Sequence, residues 1–167
     1  QNSKLPPGLV QLLLVPAAPE SSGYIPAERL LLPASVREEV QAYLDRRRLL
    51  GTGLDIRTPE YIGASITLRV KAKPGVNREQ LAAEVESRLC HYISPLTGGG
   101  SGAGWEFGRS LSPADVYAAV RGLTGIEYVE NVLLFPVRDG KRGEAEPVLQ
   151  VPGNGLPVSF QHEVNVV

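Results

Sequence analysis

Residues 61–73 follow a strict two-residue rhythm. Ile62, Ala64, Ile66, Leu68, Val70 and Ala72 fall on one parity, and Tyr61, Gly63, Ser65, Thr67, Arg69, Lys71 and Lys73 on the other. A period of two means a β-strand with one buried face. At ~3.3 Å per residue the strand would run about 43 Å, well beyond the usual strand length. Such a strand can act as a spine to which several others pair.

Helical spacing appears three times. Val36, Val40, Tyr43 and Leu44 lie on one helix face after Ser35, and Ser35 with Glu38 reads as a capping box. Arg46, Arg47 and Arg48 fall in the last turn of that helix, where the dipole favours cations, and Gly51 is placed to stop it. Asn77 and Gln80 repeat the capping logic ahead of Leu81, Val85, Leu89 and Ile93. Ser112-Pro113-Ala114-Asp115 opens a third, shorter helix with Val116, Val120 and Leu123 inward, ended by Gly122 and Gly125. Short strands are expected at Val10–Val15 and Leu54–Arg57, with Ala17–Pro33 a connector. Further strands are expected at Ile126–Val137, Val148–Val151 and Pro157–Val167, with turns at Asp139-Gly140 and Asn154-Gly155. This order predicts an α+β fold with mixed or antiparallel sheets, about three helices and ferredoxin-like (split βαβ) sublobes. The expected division is a first α+β lobe at 1–94, a strap at 95–111 and a second α+β lobe at 112–167.

Composition narrows the function classes. The 167 residues carry a net charge of −1, which gives no field for nucleic acid or an anionic membrane. One cysteine, Cys90, excludes an internal disulfide framework and a multi-cysteine zinc site. Leu9–Val15 imitates the apolar core of a signal peptide, but Gln11 interrupts it and a strand is the better reading. No run approaches the ~20 apolar residues of a membrane span. The chain has no Met, even at position 1, which suggests a piece of a longer polypeptide.

The stretch Pro95–Leu111, PLTGGGSGAGWEFGRSL, holds six of the eighteen glycines and the single Trp. Glycine frees the backbone. The stretch therefore reads as a flexible, extended surface strap ending in Trp105, Phe107 and Arg109, side chains suited to anchoring on a partner. In two-residue phase these three share a side, so one pocket is expected to take both rings, with Gly104 and Gly108 as the flanking backbone hinges. Two placements stay open: Trp105 tucked into its own core, or held at a junction between lobes or subunits.

Rival chemistry is thin. No Lys follows the glycines as a P-loop requires, and the glycine run follows a helix rather than a strand. Cys90 and His91 are adjacent on a helix, so they diverge by ~100° and do not make a nucleophile–base pair. His162 lies in phase with the apolar residues of the last strand and reads as a core or rim histidine. Catalytic, metal and cofactor sites are all expected to be absent.

The block from Pro95 onward resembles the C-terminal region of baseplate J-like proteins, the baseplate assembly proteins of contractile phage tails and contractile injection systems. The resemblance is carried by Pro95-Leu96-Thr97-Gly98-Gly99, Gly104-Trp105-Glu106-Phe107-Gly108-Arg109, Ser112-Pro113-Ala114-Asp115-Val116-Tyr117 and Gly125-Ile126-Glu127-Tyr128-Val129. Upstream, Val15-Pro16, Tyr43–Thr52 and Pro59 fit the same pattern, as does Phe160-Gln161-His162-Glu163-Val164 at the end. Ile126 replaces the family's Val. The resemblance implies a structural wedge or ring component and no enzymatic residues. It implies a homo-oligomer in the assembled ring that also contacts other baseplate proteins. It further implies assembly in the cytoplasm into a virion tail or a contractile particle. The alternative is a ferredoxin-like binding module for a small ligand or nucleic acid.

Overall fold

A computed structural model of the chain describes residues 6–18 and 25–167. The part of the expected connector at 19–24 lies outside the described residues. The fold is α+β, with three α-helices and two sheets among the described residues.

The long alternating segment is the spine that its period demands. Strand β3, Glu60–Ala72, is paired along both edges. On one edge it meets β4, Ile126–Arg138, antiparallel from Gly63↔Val137 to Ala72↔Ile126. On the other edge two short strands lie in line. Strand β6, Gly155–Ser159, pairs parallel with Glu60–Ala64, and β7, Glu163–Val166, pairs parallel with Thr67–Val70. The Asp139-Gly140 turn has φ of 51° and 70°, as a two-residue hairpin requires, and leads into the short strand β5, Lys141–Arg142. Val148–Val151 forms no strand; Leu149 makes a single bridge to Leu111.

Helices α2, Arg78–Ile93, and α3, Pro113–Val120, cover the apolar face of this sheet. Ile62, Ala64, Ile66, Leu68, Val70 and Ala72 are all buried there against Leu81, Val85, Leu89, Ile93, Val116 and Val120. The Asn77 side chain accepts from the Gln80 N–H at 3.1 Å, so α2 is capped as its sequence predicts. The opposite face is polar and cross-linked. Arg69 pairs with Glu130 at 2.6 Å, and the Arg142 guanidinium stacks 3.3 Å from the Phe135 ring centroid. Sheet and core both run across the expected boundary at 95–111.

The N-terminal region is built differently. Strand β1, Leu9–Leu13, pairs parallel with β2, Gly53–Arg57, as a separate two-stranded sheet. They are joined through a 3-10 turn at Ala27–Leu30 and helix α1, Ala34–Asp45. The strands ahead of residue 95 thus divide between two sheets rather than sharing a ferredoxin-like one. Helix α1 starts at Ala34 with Pro33 in the N-cap position and no side-chain cap. The expected Ser35–Glu38 capping box is therefore not formed. Pro33, at φ −60° and ψ 142°, already sets the helix entry two residues too early for Ser35 to serve. None of the residues of α1 is buried, and Val36 and Tyr43, expected to face inward, are exposed.

The candidate strap and turn

Strap residues 95–111 connect α2 to α3 and lie against both. They are not an extended tether. Gly98 N–H donates to the Ser94 carbonyl at 3.0 Å and Gly99 N–H to the Tyr92 carbonyl at 2.8 Å. Gly104 N–H returns to the Gly98 carbonyl at 3.1 Å and closes the loop on itself. The Ser94 hydroxyl accepts the N–H groups of Leu96 and Thr97, both at 3.2 Å.

Several of the glycines serve close approach rather than freedom. A Cβ on Gly98 would sit 2.5 Å from the Ser94 carbonyl oxygen, and one on Gly104, at φ +98°, 2.6 Å from that of Pro95. Gly100 and Gly102, by contrast, face open space. Backbone bonds, not loose glycine, decide the shape of the strap.

Trp105 and Phe107 part company. Trp105 is 3% exposed and belongs to the main core, where its ring meets Tyr92 edge-on at a centroid distance of 6.0 Å. Its Nε1–H donates to the Arg109 carbonyl at 2.8 Å. Phe107 is 45% exposed. The expected shared pocket is not formed, and the reason is local. Arg109 N–H donates to the Glu106 carbonyl at 3.2 Å, and Gly108 takes φ +71°, so residues 106–109 make a turn with Phe107 at its tip. A two-residue phase does not survive a turn. Gly108 also packs on Gly153, to which a Cβ would approach within 2.9 Å.

Arg109 closes the turn from above. Its guanidinium lies 4.5 Å from the Trp105 ring centroid and pairs with Asp115, a buried carboxylate. Asp115 also accepts the Ser112 N–H and hydroxyl at 2.9 and 2.7 Å. The capping carboxylate of α3 is thus the counter-ion of the turn. Spacing alone reveals the N3 carboxylate but not the arginine that reaches it.

The residues set aside as catalytic have structural work. Burial pushes the Cys90 thiol up to about 11, away from the reactive thiolate. His162 occupies the gap between β6 and β7. There Ile66 N–H donates to its Nδ1 at 3.2 Å, and its Nε2 lies 3.3 Å from the Ser159 hydroxyl. The imidazole replaces a strand carbonyl in the ladder, and burial pulls its pKa down to about 4. Ser65 bridges the same gap, its hydroxyl donating to the Gln161 carbonyl at 2.6 Å. Nothing in the strand pattern of 157–167 betrays this break. Tyr61 is held with its hydroxyl buried and unpartnered, and burial pushes it up to about 12. Among the described residues no three His, Cys, Asp or Glu side chains group to hold a metal, and no helix is long and apolar enough to cross a membrane.

No protein-family model and no curated protein matches the chain. A solved structure does. The fold is similar to a chain of the anti-feeding prophage (AFP) baseplate, determined by cryo-electron microscopy with six-fold symmetrisation, at a TM-score of 0.59 and 18% identity. The match covers 95% of this chain and 31% of the other, so the chain spans about a third of that protein's length.

Proposed function

We propose that the chain is a structural component of the baseplate of a contractile tail or contractile injection system. In this reading it is a wedge or ring assembly protein that acts through contacts with copies of itself and with other baseplate proteins, without catalysis. The observation that carries the reading is the likeness of fold to an AFP baseplate chain over 95% of the residues. The glycine, Trp105 and α3 block adds to it, because the residues it shares with baseplate J-like proteins are those that hold the strap and turn. Assembly takes place in the cytoplasm, before the protein joins the virion tail or particle.

The turn at 104–109 is the assembly anchor. Trp105 and Arg109 hold it from within, Gly104 and Gly108 let the backbone pass, and Phe107 is the side chain presented outward. An exposed aromatic on a rigid turn loses little entropy on docking, which suits a hot spot. Immunogold electron microscopy of particles carrying the tagged protein tests the role. Label at one end of a contractile particle is expected, and Phe107→Ala should reduce that label several-fold. Label along the shaft, or particles that lack the protein altogether, contradicts the proposal.

A further inference from the structure

Strap, α2 and α3 enclose a solvent-open pocket of about 320 Å³. Its walls are Gly98 to Gly102 on one side, Arg88 and His91 of α2 on another, and Ala119 and Arg121 at the end of α3 on the third. Three features give it one electrostatic sign. Arg88 and Arg121 are both exposed, and neither makes an ion pair or side-chain hydrogen bond among the described residues. Arg109, on the same strap, is by contrast committed to Asp115. The backbone N–H groups of Gly100 and Ser101, at the tip of the strap, likewise find no acceptor among the described residues. Glu84 shares a shallower adjoining recess with Arg88 without pairing to it. Among the described residues no carboxylate lines the pocket itself.

We propose that this pocket is a carboxylate-binding site that receives an acidic side chain or chain terminus of a neighbouring protein. Arg88 of α2 and Arg121, just past the end of α3, both line the pocket; a planar guanidinium fork matches a carboxylate bidentately, and successive amides of a glycine turn add donors without side-chain bulk. A net charge of −1 and a pocket this small do not suit a polynucleotide backbone, which needs an extended basic surface. The strap then has two uses. Its packed glycines, 98 and 104, fix its shape, and its open glycines, 100 and 102, leave room for the guest. That the guest is a baseplate neighbour rests on the proposed function; that the pocket takes a carboxylate does not.

The test is a titration of the ¹⁵N-labelled chain with the capped peptide acetyl-Glu-Asp-Glu-amide, and separately with inorganic phosphate. The amides of Gly98 to Gly102 are expected to shift with the peptide. The affinity should fall about tenfold in Arg88→Gln and in Arg121→Gln, and further as salt is raised. Gly100→Asp, which places a carboxylate in the open pocket at a position that tolerates a Cβ, should abolish peptide binding without unfolding the chain. Shifts that ignore both arginine variants overturn the proposal. So does phosphate binding more tightly than the peptide, and so does an absence of shifts at the strap. Each of these readouts is independent of where the protein sits in a particle.

Discussion

Two regions of this chain use the same kinds of element to opposite effect. From Glu60 to Val167, thirteen-residue strands, two helices and the strap bury a continuous core, with Ala64, Ile66, Leu68, Val70, Val85 and Leu89 wholly inaccessible. From Leu9 to Arg57, a helix with no buried residue stands beside two parallel strands in which Ile56 is the buried side chain. Parallel strands are normally covered on both faces, and two alone fall short of independent stability. A small cluster of Ile25, Leu30 and Val158, with Tyr61 and Leu96 against it, ties this region to the body. The difference teaches that amphipathic spacing states which face of an element is apolar, not whether anything covers it.

The largest break in the comparison should come from Trp105. Trp105→Ala removes a fully packed ring and the bond to Arg109, and should cost about 3–5 kcal/mol in denaturant unfolding. Phe107→Ala, two residues on but exposed, should change stability by no more than about 0.5 kcal/mol. Equal losses would put both rings back in one pocket.

Acid should strike the body through His162. Its native pKa, about 4, lies below the ordinary 6.5, so the unfolded chain binds the extra proton first. Stability is intact above pH 6.5 and is lost as pH falls toward 4, by on the order of 2–3 kcal/mol. His162→Gln, which keeps an acceptor for Ile66 N–H, should flatten that part of the pH–stability curve. An unchanged curve would show that the imidazole is not held neutral in the ladder.

The strap can be assigned to one region or the other by its glycines. Gly98→Ala drives a Cβ into the Ser94 carbonyl and should cost about 2 kcal/mol, whereas Gly100→Ala meets nothing and should stay within about 0.5 kcal/mol. Similar small values at both sites would make the strap the loose tether that its composition suggests.

The smallest effect separates the helix caps. Asn77→Ala should cost about 1 kcal/mol, because its side chain caps α2. Ser35→Ala, inside the first turn of α1 and outside any cap, should be neutral within about 0.5 kcal/mol.

What the sequence makes legible follows from how local each signal is. The alternation of 61–73, the face Leu81–Ile93, and the Ser112-Pro113-Asp115 start are written in neighbouring residues, and each is formed as predicted. The misreadings all depend on distant partners or on a single turn. Ser35 lost its cap to the proline two positions before it. Phe107 left the side of Trp105 because Gly108 turned the chain. The last strand broke at 160–162 because a histidine side chain, 96 residues from Ile66, took over a ladder bond. The strap residues were marked as special by composition, but composition does not distinguish a glycine needed for close approach from one that leaves a space. Arg88 and Arg121 carried no signal at all, since only the fold brings them to one pocket.

Native-state hydrogen exchange tests the central contrast most directly. The amides of Ile66 and Leu68 in β3, and those of Gly98 and Gly99 in the strap, should exchange slowly, the first pair near the rate set by global unfolding. Amides of α1 from Glu38 to Asp45 should exchange orders of magnitude faster in the isolated chain. Protection in α1 equal to that in β3, or strap amides exchanging as fast as an open chain, would contradict the division of the molecule into a self-sufficient body and an uncovered N-terminal region.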